Sequence, residues 1–162
     1  MDEDDSLTDQ GDFIRMQLQG DALIFIASMH GGKTQSIGGS IANIRNVLGQ
    51  DNLNEVKLES AIAQVEDLIM PIIHAFRART KLEIHGAELA GLFHLLTENN
   101  GSIIPIESVE NLFNQLADYA SGSPVAWRQP VPAMQVALGL IALREVMHHG
   151  GFSSVSFPHQ EE

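Results

Sequence analysis

Residues 7–29 read LTDQGDFIRMQLQGDALIFIASM, and whether they form helix or strand decides the fold. Phe13, Met16, Gly20, Leu23, Ile24 and Ala27 fall on one face of a 3.6-residue helix, and Ile14, Leu18, Phe25 and Met29 widen that face. Gly11 and Gly20 interrupt it, each costing about 1 kcal/mol against alanine in a helix interior. The second half, Leu23 to Ala27, is also short and apolar enough for a buried strand, because periodicity does not separate the two at this length. The helical reading is adopted because it agrees with the rest of the chain.

Downstream, Gly31, Gly32, Gly38 and Gly39 make a helix across 30–40 costly, which predicts a loop. A short helix follows from Ile41 to Leu48, with Gly49 placed to end it. Asn52 or Asn54 can cap the longest helix, whose stripe is Leu58, Ile62, Val65, Leu68, Ile69, Ile72 and Phe76. Pro71 lies within that stripe and predicts a kink near Asp67.

Two further blocks form a helical hairpin: Leu89, Leu92, Phe93 and Leu96 are matched by Val109, Leu112, Phe113 and Leu116. Asn99-Asn100-Gly101 separates them, and short extended pieces at Lys81–Ile84 and Ser102–Ile104 flank them. A Gly/Ser/Pro loop at 121–132 holds Trp127. The last helix, Ala133 to His148, is apolar nearly all round and belongs at the centre of a bundle. Val155 and Phe157 alternate with serines as in a short strand. The expectation is an all-α or nearly all-α domain of five or six helices spanning 7–157. An acidic flexible leader at 1–6 and a flexible tail at 158–162 bound it.

The chain has 162 residues, a net charge of −12 and no cysteine. Such acidity disfavours nucleic acid and anionic membranes as partners. Without cysteine there are no disulfides, thiolate metal sites or thiol nucleophiles. The acidic start is wrong for a secretory signal, and no apolar run reaches the ~20 residues of a membrane span, so a cytoplasmic location is expected.

Two motifs carry candidate chemistry. Ala27-Ser28-Met29-His30-Gly31-Gly32-Lys33-Thr34 resembles the degenerate Walker A pattern of P-loop nucleotide-binding proteins, with alanine at the first glycine. That resemblance implies phosphate held by backbone amides at Gly32, terminal phosphates reached by Lys33 and magnesium held by Thr34. Glu145-Val146-Met147-His148 has the Glu-x-x-His spacing of ferritin-like di-iron helices, here without a second such pair. A divalent metal held by Glu145, His148 and either His149 or His159 is the reading that remains. No Gly-x-Ser-x-Gly elbow supports a serine nucleophile.

With no catalytic constellation in the pattern and no cofactor implied, the main expectation is a non-enzymatic interaction module. Its face would be Leu89, Leu92, Phe93, Leu96, Val109, Leu112, Phe113 and Leu116, receiving a protein partner or a second copy. The alternatives are a phosphate- or nucleotide-binding protein using 27–34, or a metal binder at the end of the last helix.

Overall fold

The computed structural model describes residues 13–28, 34–49, 53–74, 81–98, 101–122 and 134–157. Strand β1 (Phe13–Gln19) turns through Gly20 and Asp21 into β2 (Ala22–Ser28), which pairs with β3 (Thr34–Ser40). Helices α1 (Ala42–Gly49) and α2 (Glu55–His74) lead to β4 (Lys81–His85). A 3-10 turn (Ala87–Leu89) and α3 (Ala90–Thr97) precede β5 (Ile103–Pro105). Then come α4 (Ile106–Ala120), α5 (Met134–Gly150) and β6 (Ser154–Ser156).

The six strands form one mixed sheet in the order β3-β2-β1-β4-β6-β5. The first three make an antiparallel meander; β1, β4 and β6 run parallel, and β5 is antiparallel to β6. The all-α expectation is therefore wrong, and residues 13–40 are where it fails.

Along β1, Ile14, Met16 and Leu18 are buried while Arg15 and Gln17 lie on the other face, a strict period of two. In β2, Leu23, Phe25 and Ala27 are buried opposite them, but Ile24 and Ile26 make the second face apolar as well. That double-sided apolarity mimics a helical stripe. Gly20 is no helix breaker: at φ +57° it is the first central residue of a two-residue hairpin turn. The stretch expected to be loop ends in β3, where Gly39 faces α2 so closely that a Cβ would collide with Leu68.

The helices hold to their patterns. Asn54 Oδ1 accepts the Lys57 N–H at 2.8 Å and caps α2, which continues through Pro71 to His74. Helix α5 is the central element: Leu138, Leu140, Ile141, Leu143, Val146 and Met147 are all buried, and it packs against α1, α2, α3 and α4. Each such side chain contributes roughly 1.5–3 kcal/mol on burial. The sheet face bearing Ile14, Met16, Phe25, Ile84 and Val155 joins the helices in one core. Among the described residues no helix is long and apolar enough to cross a membrane. The leader at 1–6, the tail at 158–162 and Trp127 lie outside the described residues.

Candidate functional site

Parallel strands β1 and β4 end side by side, at Gln19 and His85. Open α/β sheets bind ligands beyond the carboxyl ends of their strands, where successive connections leave a crevice. At this edge Gly20 and Asp21 of the β1–β2 turn, Arg45 of α1 and Glu88 of the 3-10 turn form one network. The Gly20 N–H donates to Glu88 Oε2 at 3.0 Å, and Arg45 Nη2 of α1 donates to the Gly20 carbonyl at 2.6 Å. Arg45 Nε lies 3.1 Å from Asp21 Oδ1, and Nη2 lies 3.6 Å from Glu88 Oε1.

The arginine side chain is 17% exposed and Asp21 67%, so the cation is seated inward and one carboxylate faces solvent. Arg45 Nε and Glu88 Oε1 are buried atoms without a well-aligned hydrogen bond. The Ile41 N–H donates to the Asp21 carbonyl at 2.7 Å, tying the turn to the start of α1. Gly86, at φ +109°, turns the chain out of β4 and accepts the Leu89 N–H at 3.2 Å. The space beside Gly20 is open. A backbone turn, an arginine and two carboxylates at a strand edge can hold an anion directly and its counter-cation beside it.

A second network joins α2, α4 and α5. His149 Nε2 lies 3.1 Å from Glu66 Oε2 and 3.3 Å from Glu145 Oε1, the latter one turn back on the same helix. Arg144 Nη1 donates to Glu145 Oε2 at 2.9 Å and Nε to Glu110 Oε1 at 3.2 Å. His148 Nε2 meets Glu110 Oε2. The Arg144 guanidinium also sits over the Phe113 ring, 4.2 Å from its centroid.

Glu145 is 3% exposed. Its burial pushes the carboxyl above the usual range, opposed by Arg144 and reinforced by the adjacent Glu66 carboxylate. Glu110 goes the other way: burial alone would raise it, but hydrogen bonds and charge from His148 and Arg144 hold it below.

The expected site residues fare unevenly. Gly32 and Lys33 lie outside the described residues, and Thr34 opens β3, paired with Ser28. The ends of segment 27–34 thus lie in two antiparallel strands, and Thr34 is strand. Of the expected metal ligands, Glu145 and His149 come together with Glu66, whereas His148 turns to Glu110. His159 is outside the described residues. Glu66 is 83 positions from His149, and no spacing within one helix announces such a partner. Arg45, Asp21 and Glu88 were also missed, because the crossover from β1 to β4 assembles them from separate elements.

The expected interaction face is not a surface. Leu89, Leu92, Leu96, Val109, Phe113 and Leu116 are buried in the core, and Phe93 and Leu112 are packed against it. Helix α5 covers most of that face, with Gly139 lying against Leu89 and Leu92.

No protein-family model matches this sequence, nor does any curated protein. Solved structures do match. A Ppx/GppA phosphatase from Aquifex aeolicus aligns at TM-score 0.67 and 11% identity, over 91% of this chain and 53% of that one. An exopolyphosphatase from Cytophaga hutchinsonii aligns at 0.63 and 13%, over 91% of this chain and 53% of that one. An exopolyphosphatase-like protein gives 0.63 and 12%, over 90% and 55%. The likeness establishes an actin-like α/β fold, and the chain spans about half the length of these structures. Together with the buried face, it overturns the reading as a non-enzymatic helical interaction module.

Proposed function

We propose that this chain binds a ligand carrying linked phosphate groups, at the edge formed by the ends of β1 and β4. The observation that carries this reading is the likeness of 91% of the chain to Ppx/GppA phosphatases, proteins whose names state a phosphate chemistry. The location follows from the strand-end rule for open sheets and from Arg45, the permanent cation seated at that edge.

The residues present suit the task in a definite way. Arg45 presents a planar fork matched to phosphate oxygens, and Gly20 lets backbone approach without a Cβ in the way. Asp21 is a solvent-facing carboxylate of the kind that holds Mg2+ alongside phosphate oxygens. When bound, that ion would neutralise charge shared between Asp21 and the ligand. Binding an anion against a net charge of −12 is helped by such neutralisation, so the affinity should depend on Mg2+.

Calorimetric titration with inorganic polyphosphate, and separately with ATP, both with Mg2+, tests the reading. Binding to the intact chain, weakened roughly 10- to 100-fold in Arg45→Gln, is the expected result. Asp21→Asn, at an exposed position, should weaken the Mg2+-dependent part alone. Lys33→Ala serves as the comparison arm: if it abolishes binding while Arg45→Gln does not, the ligand sits on segment 27–34 instead. No heat with either ligand refutes the proposal.

A further inference from the structure

We propose that Glu66, Glu145 and His149 form a site for a zinc-type divalent cation, such as Zn2+, Mn2+ or Fe2+, that staples α5 to α2. It is independent of the phosphate edge. It lies in the helix layer, with Glu145 and His149 at the end of α5 just before β6 begins.

The geometry comes first. Ligand atoms from all three side chains lie within 4.8 Å of one another. His149 Nε2 stands 3.1 Å from Glu66 Oε2 and 3.3 Å from Glu145 Oε1. Two ligands bound about 2.0–2.1 Å from one metal are separated by about 3.0 Å at a right angle and about 3.4 Å at a tetrahedral angle. The two imidazole-to-carboxylate spacings fall in that interval, and the two carboxylates lie within 4.8 Å of each other, close enough to close on one ion.

Charge supplies the second argument. Nε2 carries at most one hydrogen, yet two carboxylate oxygens converge on it. Oxygens of Glu66 and Glu145 also lie within 4.8 Å of each other. Arg144 is the nearest permanent cation, but it binds the other oxygen of Glu145 and reaches away to Glu110. His148, the second imidazole on this turn, is engaged by Glu110 as well. The Glu66 and Glu145 oxygens that face His149 thus share one imidazole, with Arg144 held on the other oxygen of Glu145.

The donor set then selects the ion. Two carboxylates and an imidazole offer a borderline ligand field that suits zinc, iron or manganese, whereas Ca2+ and Mg2+ favour oxygen alone. Glu145 is 3% exposed and anchors the ion from the core side. Glu66 and His149 are partly exposed and leave an entry path. Because the ligands come from α2 and α5, occupancy adds stability by mass action to the element at the centre of the core.

The full chain, stripped by chelator and exchanged into metal-free buffer without phosphate ligand, is titrated with Zn2+ and with Mg2+ by calorimetry. Thermal unfolding is followed in parallel. The expected results are one Zn2+ per chain, a raised melting temperature, and no comparable effect of Mg2+. His149→Ala and Glu66→Gln, both at partly exposed positions, should each lower Zn2+ affinity at least about tenfold. His148→Ala should leave it unchanged. Nitrogen NMR of the imidazoles should show Nε2 of His149 as the coordinated atom. Absence of Zn2+ binding, or binding that survives both His149→Ala and Glu66→Gln, overturns the site. Neither result bears on phosphate binding, which is measured with a different ligand at a different edge.

Discussion

Two charged networks in this molecule differ in one decisive respect. At the strand edge, Arg45 supplies a permanent cation between Asp21 and Glu88. In the helix layer, Glu66 and Glu145 share the His149 imidazole, while the arginine, Arg144, is held on the other oxygen of Glu145. The first network has a guanidinium to offer an incoming anion, and the second has a deficit that an incoming cation would fill. The contrast lies in what each network presents at its centre, a guanidinium in one and two carboxylates around an imidazole in the other. Fold likeness alone would not have separated them.

The largest expected effect tests what both networks share. Ile141 is fully buried on α5, the helix that both halves of the core lean on. Ile141→Ala should lose about 2–5 kcal/mol in denaturant unfolding, whatever ligand is present. A loss well under 1 kcal/mol would mean that α5 is not central.

The next effect should separate the networks by sign. Arg45→Gln leaves the Asp21 and Glu88 carboxylates facing each other without their cation, and should destabilise the metal-free chain by about 1–3 kcal/mol. Glu145→Gln removes a buried carboxylate whose ionised form is disfavoured, so without metal it should be neutral or stabilising near pH 7. Equal losses in the two variants would erase the distinction drawn here.

Glu110 gives the smallest effect, and its pH dependence has a definite sign. Its carboxyl is held below the ordinary 4.5, so the ionised form is favoured by folding. That stabilisation is present above pH 4.5 and is lost as pH falls through the lowered folded value. Glu110→Gln should therefore cost less than about 1 kcal/mol at pH 7, with the difference from the parent vanishing in acid. A difference that grew on acidification would contradict the assignment.

How legible the chain was depends on the region. Helices α1 to α5 follow their apolar stripes and caps, and the short extended pieces at Lys81–Ile84 and Ser102–Ile104 became β4 and β5. The signal for β1 and β2 was present but was overridden. Ile14, Met16 and Leu18 alternate strictly with Arg15, Gln17 and Gln19, and Gly20-Asp21 is a hairpin dipeptide between that run and the apolar run of β2. Ile24 and Ile26 hid it by making β2 apolar on both faces. Strand β3 carried no comparable signal. Its glycines are poor strand formers, and tertiary fit against Leu68 and Leu23 decides their conformation.

The site residues divide in the same way. Glu145, His148 and His149 were readable as one cluster, but the spacing singled out Glu145 with His148, whereas His149 is the imidazole that meets Glu145 and His148 goes to Glu110. Glu66, Arg45 and Glu88 join their networks only once α2, α1 and the turn after β4 have docked. Long-range placement of charged side chains leaves no periodic trace in a sequence.

The central claim is that a phosphate ligand sits at the carboxyl ends of β1 and β4. Backbone amide NMR during titration with inorganic polyphosphate and Mg2+ tests it most directly. Shifts should concentrate at Gly20, Asp21, Arg45, Gly86 and Glu88, and should disappear in Arg45→Gln. A spectrum unmoved at those five amides while ligand is bound elsewhere would contradict it.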